Sequence, residues 1–163
     1  MKFLAGLIFV LPLCAAAQDC KLKKTVDPYT KEVRLSTSLI KMDMASLSIQ
    51  ADSKEVDLFF TMNRNESCFN DASTAVINYE GTKVKATFRN TGSVNCEGFF
   101  HIIFRNTATT NTLLNRLITQ KITSIVINGT NKTQTTITLT PEDQEKIMTQ
   151  GDCLVKEAKA LIK

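Results

Sequence analysis

The sequence has few of the residues that hydrolytic, metal and nucleotide sites require. It contains one histidine, His101, and apolar residues flank it in the run FFHIIF. No Gly-x-Ser-x-Gly motif surrounds a serine, and no Cys-x-x-Cys pair occurs. The glycines lie too far apart to form a phosphate-binding loop. We therefore predict no catalytic, cofactor-binding or metal-binding residues, and no cofactor.

His101 is the residue that a hydrolytic site would use. Because its neighbours are apolar, we expect it to pack against a sheet with a main-chain partner. The alternative is a small hydrolase-like enzyme in which His101 works with a carboxylate from a distant strand. That alternative requires His101 to lie in a cleft with an acid or a hydroxyl within about 3.2 Å of the ring, whereas a binding module would have the ring packed.

The acidic residues Asp52, Glu55 and Asp57 lie close together and raise the question of a calcium site. Their spacing does not match that of a calcium-binding loop. Alternation with Val56 and Leu58 predicts instead that Glu55 and Asp57 point to solvent from a strand.

The charge balance is only mildly basic, with 20 Lys and Arg against 16 Asp and Glu and a net charge of +4. This excess is too small to predict binding to nucleic acid or to an anionic membrane. The one concentrated basic run, KLKK at residues 21–24, is typical of a solvated terminal arm.

The first 17 residues have the features of a cleavable signal peptide. Lys2 precedes an apolar run over residues 3–13, and Ala15 and Ala17 match the small-residue pattern before a cleavage site. We predict cleavage after Ala17, which leaves residues 18–163 as one disulfide-linked domain of a secreted or periplasmic protein.

Two kinds of membrane attachment have less support. Lipidation of Cys14 would need small residues before it, where the sequence has Pro-Leu. After Leu13 no apolar run approaches the ~20 residues that a membrane-spanning helix needs, so we predict no transmembrane segment.

Cleavage removes Cys14 and leaves an even number of cysteines, which in an exported chain favours disulfides. Three pairings are open. Cys68 precedes one strand of a predicted hairpin and Cys96 follows the other, so we predict the bridges Cys68–Cys96 and Cys20–Cys153. Loop-closure entropy gives them a stabilising effect of roughly 3.5 and 5 kcal/mol, respectively, before strain.

The predicted hairpin is formed by the runs STAVINY and VKATF, which are rich in β-branched and aromatic residues. Gly81 lies between them and can adopt the positive φ of a tight turn. Lys83, Lys85 and Arg89 alternate with apolar residues and form a basic strip on the outer face of the sheet. We take this strip as a candidate interaction face, and a solvated sheet surface is the alternative.

Arg105 is a candidate extension of that strip. It follows FFHIIF at residues 99–104, a run with little polar surface on either face, which predicts a central strand. LSIQ and EVDLFFTM are typical of a second hairpin that turns at residues 52–54. Asn128-Gly129 predicts a third hairpin between KITSIVI and TQTTITL, because both residues tolerate positive φ.

Two helices complete the predicted fold. LLNRLITQ places four apolar residues at helical spacing: Leu113, Leu114, Leu117 and Ile118. Thr140-Pro141 begins a second helix that runs to about Leu161, with Gly151 on its apolar face as a candidate kink. We predict an α+β domain in which both helices pack on an antiparallel sheet of about 7–9 strands, sandwich-like or a partly open barrel.

Asn65, Asn128 and Asn131 match the acceptor pattern for N-glycosylation. The pattern matters only if a eukaryote secretes the chain. Asn128 already has a predicted role in a turn.

The beginning AAAQDC, the segment DPYTKE, the spacing of Cys68 and Cys96 around a strand pair, and the last helix with Cys153-Leu154 resemble a group of small exported bacterial proteins. These proteins come mostly from Bacteroidota and have no assigned activity. The resemblance implies a bacterial periplasm or exterior and brings no catalytic or binding residues.

Because catalytic constellations are missing, we favour a non-enzymatic binding or interaction module. Its sheet would present a face with Thr and Lys side chains to another protein, a glycan or an envelope component, and not to nucleic acid. The alternatives are the enzyme that uses His101 and a structural or stress-related envelope protein without a small ligand.

Export predicts a mature chain that begins at Gln18 and has no free thiol, because an oxidising compartment lets all four remaining cysteines pair. The measurement is N-terminal sequencing of the protein from its native compartment, with thiol alkylation before and after reduction. Four reduced thiols, or a chain that keeps its first 17 residues, would contradict the prediction.

Overall fold

The computed structural model describes residues 20–63 and 67–162, which form ten strands and two helices. The predicted signal peptide with its cleavage site, Cys14 and Asn65 lie outside the described residues. The strands are β1 (Lys23–Val26), β2 (Val33–Ser36), β3 (Ile40–Lys41), β4 (Ala45–Ala51), β5 (Glu55–Met62), β6 (Thr74–Tyr79), β7 (Lys85–Arg89), β8 (Phe99–Arg105), β9 (Ile122–Asn128) and β10 (Gln134–Thr138), and the helices are α1 (Thr112–Thr119) and α2 (Pro141–Lys159).

The strands form two antiparallel sheets, which confirms the predicted α+β class. One sheet has six strands in the order β1-β2-β4-β5-β8, with β3 also paired to β4. The other has four strands in the order β10-β9-β6-β7. Of the two predicted architectures, the arrangement is the sandwich-like one.

The two sheets pack through aromatic side chains on their inner faces. Phe88 of β7 meets Phe104 of β8 with ring centroids 5.8 Å apart, and Phe69, which lies outside both sheets, meets Phe100 of β8 at 5.4 Å. All four side chains are buried. Full burial of one such side chain contributes about 1.5–3 kcal/mol, so the contact between Phe88 and Phe104 stabilises the packing of the two sheets.

Helix α2 covers the part of the six-stranded sheet formed by β2, β3 and β4. It begins with the predicted cap: the Thr140 hydroxyl accepts a hydrogen bond from the Asp143 N–H, and the Asp143 carboxylate accepts one from the Thr140 N–H. Its buried residues include Ile147, Gly151 and Leu154. Helix α1 buries Leu114, Leu117 and Ile118, whereas Leu113 is 44% exposed, contrary to the predicted apolar face.

The hairpins at residues 52–54 and at Gly81 form as predicted. The Asp52 carboxylate accepts hydrogen bonds from the N–H groups of Lys54 and Glu55 in the first turn. Gly81 has a φ of 69° in the second. The alternation predicted before β7 is wrong at Val84, which is 57% exposed and lies outside the strand. Val84 still belongs to the turn, since its N–H bonds the Thr82 hydroxyl.

The third hairpin forms, but the predicted Asn-Gly turn is wrong. Gly129 has a φ of −93°, and the positive φ values fall on Asn131 and Lys132. A side chain at Gly129 would lie 2.8 Å from the main-chain oxygen of Cys68. The structure therefore requires glycine there for a close approach between chain segments.

Strand β8 is an edge strand, so the predicted central position of residues 99–104 is wrong. It pairs only with β5. Its free edge is covered by residues 90–95, as the N–H of Thr91 donates to the His101 oxygen at 3.0 Å and the N–H of Ile103 donates to the Thr91 hydroxyl at 3.0 Å. This cover explains why an edge strand can be so apolar.

The four cysteines form the two pairs that the sequence predicts. The Cα atoms of Cys20 and Cys153 are 5.9 Å apart, and those of Cys68 and Cys96 are 3.8 Å apart. The pairs indicate an oxidising compartment. No helix among the described residues is both long enough and apolar enough to span a membrane.

Gly151 gives a prediction about stability, since a Cβ atom there would lie 2.7 Å from the Ile118 Cγ2 atom of α1. We expect Gly151→Ala to lower the free energy of unfolding by about 1 kcal/mol, because overpacking costs about 1–3 kcal/mol and the higher helix propensity of alanine offsets only about 1 kcal/mol. Urea unfolding with intact disulfides measures the change.

The control is the same substitution in an Ile118→Ala background, where the nearest methyl group is absent. There Gly151→Ala should be neutral or stabilising. Equal destabilisation in both backgrounds would mean that the contact between α1 and α2 does not select glycine.

Candidate interaction surface

The outer face of the four-stranded sheet is a continuous, mostly polar surface. The strand register aligns its outward side chains in three rows, and each row crosses β10, β9, β6 and β7. The rows are Gln134, Asn128, Thr74 and Arg89; Thr136, Val126, Val76 and Thr87; and Thr138, Ser124, Asn78 and Lys85. We call these residues the polar face. None of them is acidic.

Hydrogen bonds between neighbouring strands fix several side chains of the polar face. The Asn128 amide donates to the Thr74 hydroxyl at 3.1 Å and accepts from the Gln134 amide at 2.8 Å. The Asn78 amide donates to the Ser124 hydroxyl at 3.0 Å. These side chains are oriented before any partner binds, which lowers the entropic cost of binding.

Two cations of the predicted basic strip belong to the polar face. Lys85 and Arg89 point outward from β7 and are exposed, with Thr87 between them. At about 3.3 Å per residue their Cα atoms are roughly 13 Å apart. No carboxylate among the described residues forms an ion pair with either cation. Lys83 is also exposed, but it precedes the strand.

Arg105 does not extend the strip. It lies on β8 of the other sheet, directly opposite Glu55 of β5. Sequence spacing could not show this, because the assignment of β7 and β8 to different sheets depends on their pairing partners.

Helix α1 positions the beginning of β7. The guanidinium of Arg116 lies 4.1 Å from the centre of the Tyr79 ring and donates to the main-chain oxygen of Val84 at 3.4 Å. Burial raises the pKa of the Tyr79 hydroxyl, and the Arg116 charge partly opposes this effect. Arg116 of α1 therefore contacts both the end of β6 and the segment that leads into β7.

The members of the polar face on β6, β9 and β10 were not among the predicted interaction residues. The alternation in TSIVIN and TQTTITL would have indicated their outward direction. Their alignment with Lys85 and Arg89 depends on the register between strands, which the sequence pattern does not contain.

His101 lies on the outer face of the six-stranded sheet and has a carboxylate partner, not the predicted main-chain one. Its Nδ1 atom is 2.8 Å from Oδ2 of Asp57, and its ring stacks on Phe59 with centroids 4.6 Å apart. The exposed fractions are 25% for the His101 side chain and 17% for Asp57. Gly92 packs against the ring, where any side chain would clash.

This pair contains two of the three groups of a hydrolytic triad. Asp57 can orient the ring and select its tautomer. Within the described part of the chain, Asp57 is the only hydrogen-bond partner of the ring, so no serine, threonine or cysteine is placed as a nucleophile. The other Asp57 oxygen is buried without a hydrogen-bond partner.

Glu55 and Asp57 point outward from β5 as predicted, and with Asp52 they line a small pocket that also includes Arg34, but each carboxylate has a separate contact. Asp52 is occupied by the hairpin turn, Glu55 lies opposite Arg105, and Asp57 binds His101. Among residues 20–63 and 67–162, no group of three or more side chains is arranged to hold a metal ion.

A cavity of about 220 Å³ lies beside the Cys20–Cys153 disulfide. Its lining includes Lys21, Thr37 and Gln150, and the Gln150 side-chain oxygen is buried without a hydrogen-bond partner. The lining combines a disulfide, one cation and hydroxyl groups, so it has no pair of groups suited to acid–base chemistry.

Comparison with protein-family models, with curated proteins and with solved structures gives no match to this chain. The resemblance to exported proteins of Bacteroidota therefore stays a prediction. The function has to be inferred from the geometry of the surface alone.

The contact between Asp57 and His101 predicts the tautomer of the ring, because the hydrogen bond that one nitrogen makes decides which nitrogen carries the proton. In the neutral ring Nδ1 should be protonated, and Asp57→Ala should move the proton toward Nε2. Nitrogen NMR of the imidazole ring can measure this directly, since the chain has one histidine.

Asp52→Ala is the matched control, because it removes a neighbouring carboxylate that does not touch the ring. The same tautomer in the parent protein and in Asp57→Ala would show that the carboxylate does not orient His101.

Proposed function

We propose that this protein is a non-enzymatic binding module of a secreted or periplasmic space. Its polar face binds an acidic protein, glycan or envelope component. The observation that carries the proposal is a sheet face with ordered amides and hydroxyls, no carboxylate of its own, and two cations that form no ion pair with any residue of 20–63 and 67–162.

The charge of the face supports an acidic partner. Four lysines elsewhere on the surface pair with acids, among them Lys54 with Glu32 at 2.9 Å and Lys146 with Glu142 at 2.6 Å. Lys85 and Arg89 have no such partner among the described residues, so their positive potential is directed outward. Complementary charge favours encounter with an acidic partner and disfavours basic ones.

The ordered amides support specific binding beyond charge attraction. A flat row of amide and hydroxyl groups can both donate and accept hydrogen bonds. Such groups suit the main chain of a peptide, or the hydroxyl and carboxylate groups of an acidic glycan. The disulfide pairs support an oxidising compartment for this function.

A hydrolase-like enzyme is the second candidate, and the 2.8 Å contact between His101 and Asp57 favours it. The binding module is preferred because the described residues supply no nucleophile for His101. His101→Asn separates the two functions, as it would abolish hydrolysis and leave binding to the polar face unchanged.

The test removes the two cations of the polar face. Lys85→Ala/Arg89→Ala should weaken binding of polygalacturonate or poly-glutamate roughly 2- to 30-fold, because each exposed charge pair contributes about 0.2–1 kcal/mol and 1.4 kcal/mol is tenfold. The loss should be largest at low salt. Titration calorimetry at two ionic strengths measures it.

Lys23→Ala/Lys24→Ala is the matched control, since it removes the same charge from exposed residues of β1 in the other sheet. It should bind both polyanions as the parent protein does. Equal weakening in the two double variants would mean that only net charge matters, and the polar face would not be a binding site.

A further inference from the structure

The outer edge of β7 carries main-chain groups that have no hydrogen-bond partner among the residues that the structure describes. The N–H of Asn90 donates to the Ser73 oxygen at 2.9 Å, so the main-chain groups of Asn90 and every second residue before it point toward β6. In an antiparallel pair the residues between them point their N–H and C=O groups away. Those residues are Lys85, Thr87 and Arg89.

These edge groups are free within the described part of the chain, where no hydrogen bond reaches the main-chain N–H or C=O of Lys85, Thr87 or Arg89 from the open side. The adjacent edge strand β8 differs, because residues 90–95 cover it with main-chain and side-chain hydrogen bonds. The fold thus covers the edge of β8 and leaves β7 able to accept a further strand.

The same three residues carry the outward side chains of the polar face. An antiparallel strand added to β7 would place one residue directly opposite Lys85 and another, four positions away, opposite Arg89. Carboxylates at these two positions would form cross-strand pairs with both cations. The free main-chain groups and the unpaired charges at this edge therefore favour the same kind of partner, which is a strand with carboxylates opposite Lys85 and Arg89.

A second copy of the chain does not fit this edge. Antiparallel pairing of two β7 strands about Thr87 would place Lys85 of each copy opposite Arg89 of the other, and like charges directly opposite destabilise a strand pair. A glycan does not fit either, since it lacks alternating N–H and C=O groups at the spacing of a strand.

We infer that the β7 edge binds an extended acidic peptide segment as a fifth strand of the four-stranded sheet. The segment carries carboxylates at two positions four residues apart, and its main chain pairs with Lys85, Thr87 and Arg89. This inference rests on the proposed function of the polar face and names the class of its partner.

The probe is the end-blocked peptide TEVTVET, whose two glutamates have the required spacing. In the paired strand its second, fourth and sixth residues direct their N–H groups to β7. Methylation of the main-chain nitrogen of the fourth residue should weaken binding at least about tenfold, because it removes a hydrogen bond and adds a clash at the interface. The same methylation on the third residue, whose N–H points away, should have little effect.

Two matched protein variants test the edge directly. Thr87→Pro removes a free N–H from β7, and Val26→Pro removes an outward N–H from β1, the edge strand of the other sheet, where Asp27 and every second residue before it bond β2. Proline is tolerated at such edge positions. We expect Thr87→Pro to lose binding at least tenfold and Val26→Pro to keep it, by fluorescence anisotropy. Circular dichroism checks that each variant folds. If Thr87→Pro does not fold, the binding of the two methylated peptides to the parent protein tests the inference instead.

Three results overturn the inference. They are equal binding of the two methylated peptides, equal binding of the peptide to the two proline variants, and no peptide binding while polygalacturonate binding still depends on Lys85 and Arg89. Each of these leaves the proposed function intact. Loss of that dependence for both probes would instead overturn the proposed function itself.

Discussion

Packing of phenylalanine side chains between the two sheets is the interaction on which the rest of the structure depends. Phe88 of β7 packs on Phe104 of β8 and joins the two sheets, and Phe69, which lies outside both sheets, packs on Phe100 of β8. Because strand side chains alternate, each inward phenylalanine forces its neighbours outward. The polar face and the outer surface that holds His101 both follow from this core.

The outer surface formed by β5 and β8 differs from the outer surface of the four-stranded sheet in how its charges are compensated. On the six-stranded sheet His101 binds Asp57, and Arg105 lies opposite Glu55. On the four-stranded sheet the cations have no acidic neighbour among the described residues. Compensated charges stabilise the surface on which they lie, whereas uncompensated ones attract partners of opposite charge. This difference is the physical reason for assigning binding to the polar face.

The His101–Asp57 pair has a structural explanation that does not require catalysis. Stacking on Phe59, the contact with Gly92 and the bond to Asp57 all connect β8 and its covering segment to β5. A half-buried imidazole at a sheet edge needs a polar partner, and the carboxylate supplies it. Local packing therefore accounts for the geometry.

The sequence by itself determined the α+β class, the hairpins at residues 52–54 and at Gly81, the cap at Thr140 and the two cysteine pairs. All but one of these depend on local propensity or on elements that are adjacent in the chain. The exception is the Cys20–Cys153 pair, which joins residues 133 positions apart and follows once Cys68 pairs with Cys96. The prediction of β8 as a central strand was wrong. An apolar run indicates that a strand is buried, but it does not show whether a neighbouring strand or another segment buries it, and here residues 90–95 cover the edge.

Only the tertiary structure decided which side chains share a surface. It separated Arg105 from Lys85 and Arg89, joined Asp57 to His101 across 44 residues of sequence, and aligned Thr136 of β10 with Thr87 of β7. These groupings follow from strand order and register. Both depend on the packing of segments that are distant in the chain, so a local sequence pattern cannot predict them.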